Sequence, residues 1–126
     1  MAPGAFQGSD FASFKQAIIA QETGGRYGLQ NYEGSGASGI GQVMPETARA
    51  LAARIGLPYR LDLLRGTSPE ARAYQDRITD AALQEAWQAG RGDAAAAARY
   101  YFAGPDTAKH GPKTARYVNE VIGRLR

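Results

Sequence analysis

The sequence of 126 residues contains no cysteine and a single histidine. The absence of cysteine excludes disulfides, thiol nucleophiles and zinc sites built on thiolates. The one histidine, His110 in AKHGPK, cannot form a histidine-rich metal site, and no G-x-S-x-G sequence supports a serine triad around it. We therefore expect no metal and no cofactor, and we interpret His110 as a surface or groove-rim residue.

Long apolar runs and dense charge are also missing. No segment approaches the ~20 apolar residues that cross a bilayer, and the start MAPGAFQGSDF lacks the basic and apolar regions of a secretory signal. The net charge is +3, with basic residues scattered except for a mild enrichment from Lys109 to Arg126. Nucleic-acid binders usually carry a denser patch. We expect neither membrane insertion nor a nucleic-acid partner, although weak attraction to an anionic polymer is compatible with this charge.

Helical periodicity is the main structural pattern of the chain. Five helices are predicted. The first begins after the cap candidates Ser9 and Asp10 and stops at Gly24-Gly25. The others run from Pro45 to Gly56, from Ser68-Pro69 to Gly90, from after Asp93 to near Ala103, and from about Thr114 to Leu125. The residues predicted to face inward are Phe11, Phe14, Ile18, Ala48, Leu51, Ile55, Tyr74, Ile78, Ala81, Ala115, Val118, Ile122 and Leu125, with Trp87 and Phe102 also in the core.

Strand patterns are nearly absent, so the predicted fold class is mostly α. The length allows one domain, residues 1–126, with residues 1–9 as a flexible N-terminal arm. The exception is the glycine-rich interval Gly24–Gly41 between helices one and two, which could hold a short hairpin. A long irregular connection inside a small domain is usually functional or mobile.

Within this interval, GSGASG (Gly34–Gly39) matches the dinucleotide-binding pattern G-x-G-x-x-G. That site also needs a preceding strand, a helix starting at the last glycine and an acidic residue about 20 positions later. Here QNYE precedes Gly34, the next predicted helix begins only at Pro45, and the sequence shows no βαβ pattern. Two interpretations stay open: a turn-rich surface loop, or a backbone that approaches a polymeric ligand closely.

Glu22 is the candidate catalytic residue. It lies four positions after Ile18 and therefore on the apolar stripe of the first helix, at the helix C-terminus. Desolvation and the negative end of the helix dipole both disfavour a charged carboxylate there, so we expect a raised pKa for Glu22. A carboxyl group that keeps its proton near neutral pH can act as a general acid. The alternative is a glutamate that points outward at a frayed helix end.

Four segments occur in a familiar order: Glu22-Thr23, GASGIGQVMPETA (Gly36–Ala48), YFAGP (Tyr101–Pro105) and KTARYV (Lys113–Val118). Together they resemble the soluble lytic transglycosylases, the goose-type lysozyme-like family that cleaves bacterial peptidoglycan. The resemblance covers nearly the whole chain after Asp10. It implies a lysozyme-like helical domain with the glycine-rich segment as an insertion between helices one and two.

The resemblance also implies roles for individual residues. Glu22 matches the catalytic acid/base, and Tyr101 matches the tyrosine that reaches over it. The implied substrate-binding residues are Thr23, Ser38, Gln42, Met44, Tyr101 and Tyr117. Three departures stand out: Thr23 in place of serine, Ile40-Gly41 in place of Leu-Met, and Phe102 in place of asparagine.

The implied reaction needs one carboxylate. It cuts the bond between N-acetylmuramic acid and N-acetylglucosamine and leaves a 1,6-anhydro end without consuming water. The alternative on the same fold is hydrolysis, which needs a second carboxylate to position water. Glu33 is the candidate, because Glu46 suits the first turn of a helix. In either case Tyr27 and Tyr32 could stack on sugar faces.

The expected partner is a peptidoglycan glycan strand, and the expected state is a monomer that acts at the cell wall. Without a signal segment, we expect a phage lysis product, a virion-associated enzyme or delivery by other means. Two further classes stay open. One is a non-catalytic wall-binding module of a phage particle or secretion machine. The other, a small basic DNA binder, predicts steep salt dependence of duplex binding.

Overall fold

The computed structural model describes residues 9–31 and 35–125. Within these ranges the chain forms six α-helices and no β-strand, which confirms the prediction of a mostly α protein. The helices are α1 (Ser9–Glu22), α2 (Pro45–Arg54), α3 (Leu61–Leu64), α4 (Pro69–Ala89), α5 (Ala94–Ala103) and α6 (Pro112–Arg124), with a 3₁₀ turn at Thr107–Lys109. No helix in the described ranges is long and apolar enough to span a bilayer.

Helix starts follow local capping chemistry. The Ser68 hydroxyl accepts a hydrogen bond from the Ala71 N–H (3.1 Å) at the start of α4, and the Asp93 carboxylate accepts one from the Ala96 N–H (3.0 Å) at the start of α5. Such side chains satisfy N–H groups that the first helical turn leaves without partners. Both predicted starts are confirmed.

Other boundaries differ from the predictions. Ser9 and Asp10, predicted to precede the first helix, already belong to α1, while the rest of the predicted N-terminal arm lies outside the described residues. The last helix begins at Pro112 and not at Thr114, because proline suits the first helical position. The single turn α3 and the 3₁₀ turn were not predicted, since such short elements show no periodicity.

The described residues divide into two compact units. The terminal unit contains the described parts of Met1–Gln21 and Leu83–Arg126, and the central unit contains those of Glu22–Ala82. Helix α4 therefore contributes to both units and divides after Ala82. The single domain over residues 1–126 stays a prediction.

The terminal unit has an aliphatic and aromatic core. Its buried residues are Phe14, Ala17, Ile18, Leu83, Ala86, Ala97, Ala98, Tyr117, Val118 and Val121. The Trp87 ring packs on Phe14 with centroids 5.2 Å apart and on the edge of Phe11 at 5.9 Å. These contacts confirm the predicted stripe of α1. In α6 the prediction was wrong at Ala115, which is exposed, because Thr114, Tyr117, Val118 and Val121 form the buried face.

The central unit buries one face each of α2 and α4. Ala48, Leu51 and Ala52 are buried in α2, and Tyr74 and Ile78 are buried in α4 as predicted. The Tyr74 hydroxyl donates to the carbonyl of Pro58 (2.7 Å) and accepts from the N–H of Arg60 (2.9 Å). This tyrosine therefore fixes the connection between α2 and α3.

Candidate functional site

Glu22 is the last residue of α1, and its side chain is half-buried. The helix stops there because Gly24 and Gly25 follow with φ of 66° and 89°, a left-handed conformation that ends an α-helix. The predicted stop at this glycine pair is confirmed. The candidate carboxylate is therefore held at a defined helix terminus.

Thr23 anchors this terminus to the glycine-rich segment. Its side chain is 3% exposed, and its hydroxyl donates to the carbonyl of Ile40 (2.8 Å) while accepting from the N–H of Gly25 (3.2 Å). Arg26 adds a hydrogen bond from Nε to the Thr23 carbonyl (3.0 Å). The hydroxyl thus has partners inside the protein, and substrate contact by Thr23 stays a prediction.

The glycine-rich segment folds back on itself around Ser38. Ser38 and Val43 exchange two backbone hydrogen bonds of 3.1 Å, and Ser38 also forms an isolated antiparallel bridge with Gln30. The Ser38 side chain is 1% exposed and donates to the carbonyl of Gly36 (3.0 Å). This serine, predicted to bind substrate, therefore lies inside the turn.

Gln42 closes the same turn with an unusual backbone. Its φ is 51°, a left-handed value that is uncommon outside glycine. Its side-chain amide donates to the carbonyls of Leu29 (2.9 Å) and Gly39 (3.1 Å). These two bonds stabilise the strained residue, and such strain is often found at functional sites. Two positions further on, Met44 is 46% exposed and precedes α2.

At two positions, Gly28 and Gly39, the absence of a side chain lets the glycine-rich segment lie close to other residues of the same chain. Gly39 has φ of 83°, and a Cβ there would lie 3.2 Å from Oε1 of Gln75; at Gly28, with φ of 73°, a Cβ would lie 2.8 Å from the carbonyl oxygen of Gly66. Among the described residues no strand precedes Gly36, and no helix begins between the end of α1 at Glu22 and Pro45. The dinucleotide interpretation is therefore excluded on geometry as well as on sequence.

Gln75 is the residue of this region that the sequence analysis missed. It is 0% exposed on α4, and its amide contacts Gly28, Ile40, Leu63 and Gly66. The available sequence signal was its position three residues before Ile78, which puts both on one helix face.

The remaining candidates lie elsewhere. Tyr101 and Tyr117 belong to the terminal unit, where Tyr101 is half-buried and Tyr117 is 6% exposed. Phe102 was wrongly predicted to be core: it is 45% exposed, with its ring stacked on Tyr117 at 4.4 Å. Of this stacked pair, Tyr117 is the buried member and Phe102 covers its ring from the solvent side. Glu33 lies outside the described residues, as does Tyr32.

Two other side chains of interest have local partners. His110 is half-buried, with Nε2 3.0 Å from the carbonyl oxygen of Gly104. Tyr27 donates from its hydroxyl to Asp76 (2.9 Å), and the Arg72 guanidinium lies 5.6 Å from its ring centroid. One face of this tyrosine is thus already occupied. Glu46 lies in the first turn of α2, as predicted.

Comparison of the chain with models of protein families and with curated proteins finds no match. The resemblance to the lytic transglycosylases therefore rests on its four sequence motifs and on the residues that carry them.

Proposed function

We propose that this protein is a peptidoglycan lytic transglycosylase with a lysozyme-like fold, in which Glu22 is the single acid/base. The observation that carries the proposal is the end of α1. There a half-buried carboxylate is followed directly by Thr23, whose buried hydroxyl holds the carbonyl of Ile40 at 2.8 Å. The helix terminus and the glycine-rich turn are thus joined next to the candidate catalytic group.

The proposed reaction uses this carboxyl group twice. Glu22 first donates its proton to the oxygen that links N-acetylmuramic acid to N-acetylglucosamine, and the bond from that oxygen to C1 breaks. The Glu22 carboxylate then accepts the proton of the muramoyl C6 hydroxyl, while the C6 oxygen bonds to C1. The product is a 1,6-anhydro ring, and the acid is restored for the next cycle.

Burial divides the predicted substrate-binding residues of the central unit into two groups. Met44 is exposed and Gln42 is half-buried, so both can contact a glycan strand from solution. Thr23 and Ser38 are buried with internal hydrogen bonds, and we propose that they shape the turn. Contact of Tyr101 and Tyr117 with substrate stays part of the prediction from the resemblance.

The test compares Glu22→Gln with Glu46→Gln on purified peptidoglycan sacculi. The second variant removes an exposed carboxylate from the same unit and is the matched control. Wild type and E46Q should solubilise the sacculi, whereas E22Q should be slower by about 100-fold or more, since general acid–base catalysis contributes at least that much. Circular dichroism should show the same helix content in all three proteins.

Mass spectrometry of the products distinguishes the alternatives. Anhydro-muramic ends support the transglycosylase, and reducing ends would instead assign hydrolysis, with Glu33→Gln as the next variant. Sacculi that bind wild type without being cut would identify a non-catalytic wall-binding module. Equal activity of wild type and E22Q would refute the role of Glu22.

A further inference from the structure

The side-chain amide of Gln75 connects three separate backbone segments of the central unit. Its Oε1 accepts hydrogen bonds from the N–H groups of Gly28 (2.9 Å) and Ile40 (3.1 Å). Its Nε2 donates to the carbonyls of Leu63 and Gly66, both at 2.8 Å. An amide group offers two acceptor and two donor positions, so every hydrogen-bonding position of this side chain is used.

The amide of Gln75 is fully buried, so its four hydrogen bonds contribute strongly to the stability of the surrounding turn. Gln75 is 0% exposed, so water cannot replace a lost partner, and buried polar groups without partners are strongly disfavoured. The absence of a side chain at Gly39 is part of the arrangement, because a Cβ there would lie 3.3 Å from Cγ of Gln75. The glycine-rich turn is thus fitted to this glutamine.

A short chain of hydrogen bonds leads from Gln75 to Thr23, the residue next to the proposed catalytic Glu22. Gln75 holds the N–H of Ile40, and the carbonyl of Ile40 accepts from the hydroxyl of Thr23 at 2.8 Å. Thr23 directly follows Glu22 at the end of α1. Both polar backbone groups of Ile40 are therefore bound, one from α4 and one from the residue beside the carboxylate.

We propose that Gln75 is a positioning residue for the reaction of Glu22, acting through Ile40 and Thr23; this inference rests on the proposed function. Gln75 fixes the turn against which the end of α1 is held. Loss of the Gln75 amide should leave the Glu22 carboxyl group chemically unchanged but shift its position relative to the bound glycan. Displacements of about 1 Å can lower a rate by roughly 100-fold.

The test measures kcat and KM on soluble glycan strands, per mole of folded enzyme and well below the unfolding midpoint of every variant. Gln75→Met keeps the volume of the side chain and removes its hydrogen bonds. We expect kcat to fall by about 10- to 100-fold, with KM changed much less. Ile78→Val is the matched control, because it removes one methyl group from the buried face of the same helix and no hydrogen bond.

Thr23 supplies a second test at the other end of the chain of hydrogen bonds. Thr23→Val should also lower kcat, and Thr23→Ser, which keeps the hydroxyl, should recover most of that loss. Because both residues act through Ile40, the double variant Q75M/T23V should lose no more kcat than the more damaging of the two single variants loses. Such non-additivity is the mark of a shared pathway. The comparison of T23V with T23S keeps the test decisive even if Q75M does not fold.

The outcomes separate this inference from the proposed function. If wild type does not cut glycan strands, both are wrong. If wild type cuts them and folded Q75M and T23V keep its kcat, only the positioning role is wrong. The same conclusion follows if I78V loses as much kcat as Q75M, because the effect would then be general destabilisation.

Discussion

At the scale of single residues, two neighbours at the end of α1 differ in their role: Glu22 is the proposed acid/base, and Thr23 holds the glycine-rich turn. Glu22 keeps part of its surface accessible, as its proposed role as acid/base requires, whereas Thr23 is buried and bonded to Ile40. Threonine keeps the hydroxyl of the serine usual in the resembling family. Its β-branch also restricts χ1, so the hydroxyl is held towards its carbonyl partner with less rotational freedom than a serine would have.

Tyr27 gives a prediction at the same scale. Burial raises the pKa of its phenol, and the hydrogen bond to Asp76 raises it further, while Arg72 lowers it. The folded state therefore holds this proton more tightly than the unfolded state does. The resulting contribution to stability is complete below the usual pKa of about 10 and is lost as the pH rises through the folded value.

The measurement is the tyrosinate absorbance of wild type minus that of Tyr27→Phe during an alkaline titration. The difference should titrate above the ordinary tyrosine pKa, and Asp76→Asn should bring it closer to that value. A difference that titrates at or below pH 10 would contradict the contact seen between Tyr27 and Asp76.

At the scale of elements, the cap of α5 is the clearest test. The helix begins with five alanines whose side chains cannot bond the free N–H groups, and the Asp93 carboxylate accepts from Ala96 instead. Asp93→Ala should lower the free energy of unfolding by about 1 kcal/mol. Asp93→Asn keeps an oxygen acceptor and should lose much less. Urea titrations of both variants measure the difference, and equal losses would argue against capping.

The helices show which parts of a fold a sequence predicts well. The starts at Pro69 and Ala94 were predicted because their caps are neighbours in the chain. In α6 the predicted Val118 is buried, but at the start of the helix Thr114 is buried and the predicted Ala115 is exposed. A threonine resembles a surface residue in any periodicity analysis, and only the structure shows that its hydroxyl donates to the carbonyl of Lys109 (2.8 Å).

The candidate site shows the same limit more strongly. Glu22 and the glycine pair after it could be predicted, since the helix stripe and its stop are local patterns. For Gln75 only the helix face could be predicted, from its spacing to Ile78, because its hydrogen-bond partners are distant in sequence, Gly28 by 47 residues and Ile40 by 35. Non-local hydrogen bonds of a buried amide leave no periodic trace.

At the scale of the whole molecule, α4 contributes more than one turn to each of the two compact units, whereas α1 contributes only Glu22 to the central one. Its first part buries Tyr74, Gln75 and Ile78 in the central unit, and its last part buries Leu83 and Ala86 in the terminal unit. A helix is cooperative along its length. Loss of packing in one unit therefore removes support from the same helix in the other.

We accordingly predict that the two units unfold in one transition. Leu64 is 2% exposed in the central unit, and Leu64→Ala should lower the free energy of unfolding by about 2–5 kcal/mol. Trp87, the one tryptophan, lies in the terminal unit, so its fluorescence reports on the unit that is not mutated. With cooperative unfolding, the fluorescence midpoint should fall as far as the midpoint seen by circular dichroism. Gln88→Ala, an exposed change on α4, should move neither, and a Trp87 midpoint unchanged by L64A would show that the units unfold independently.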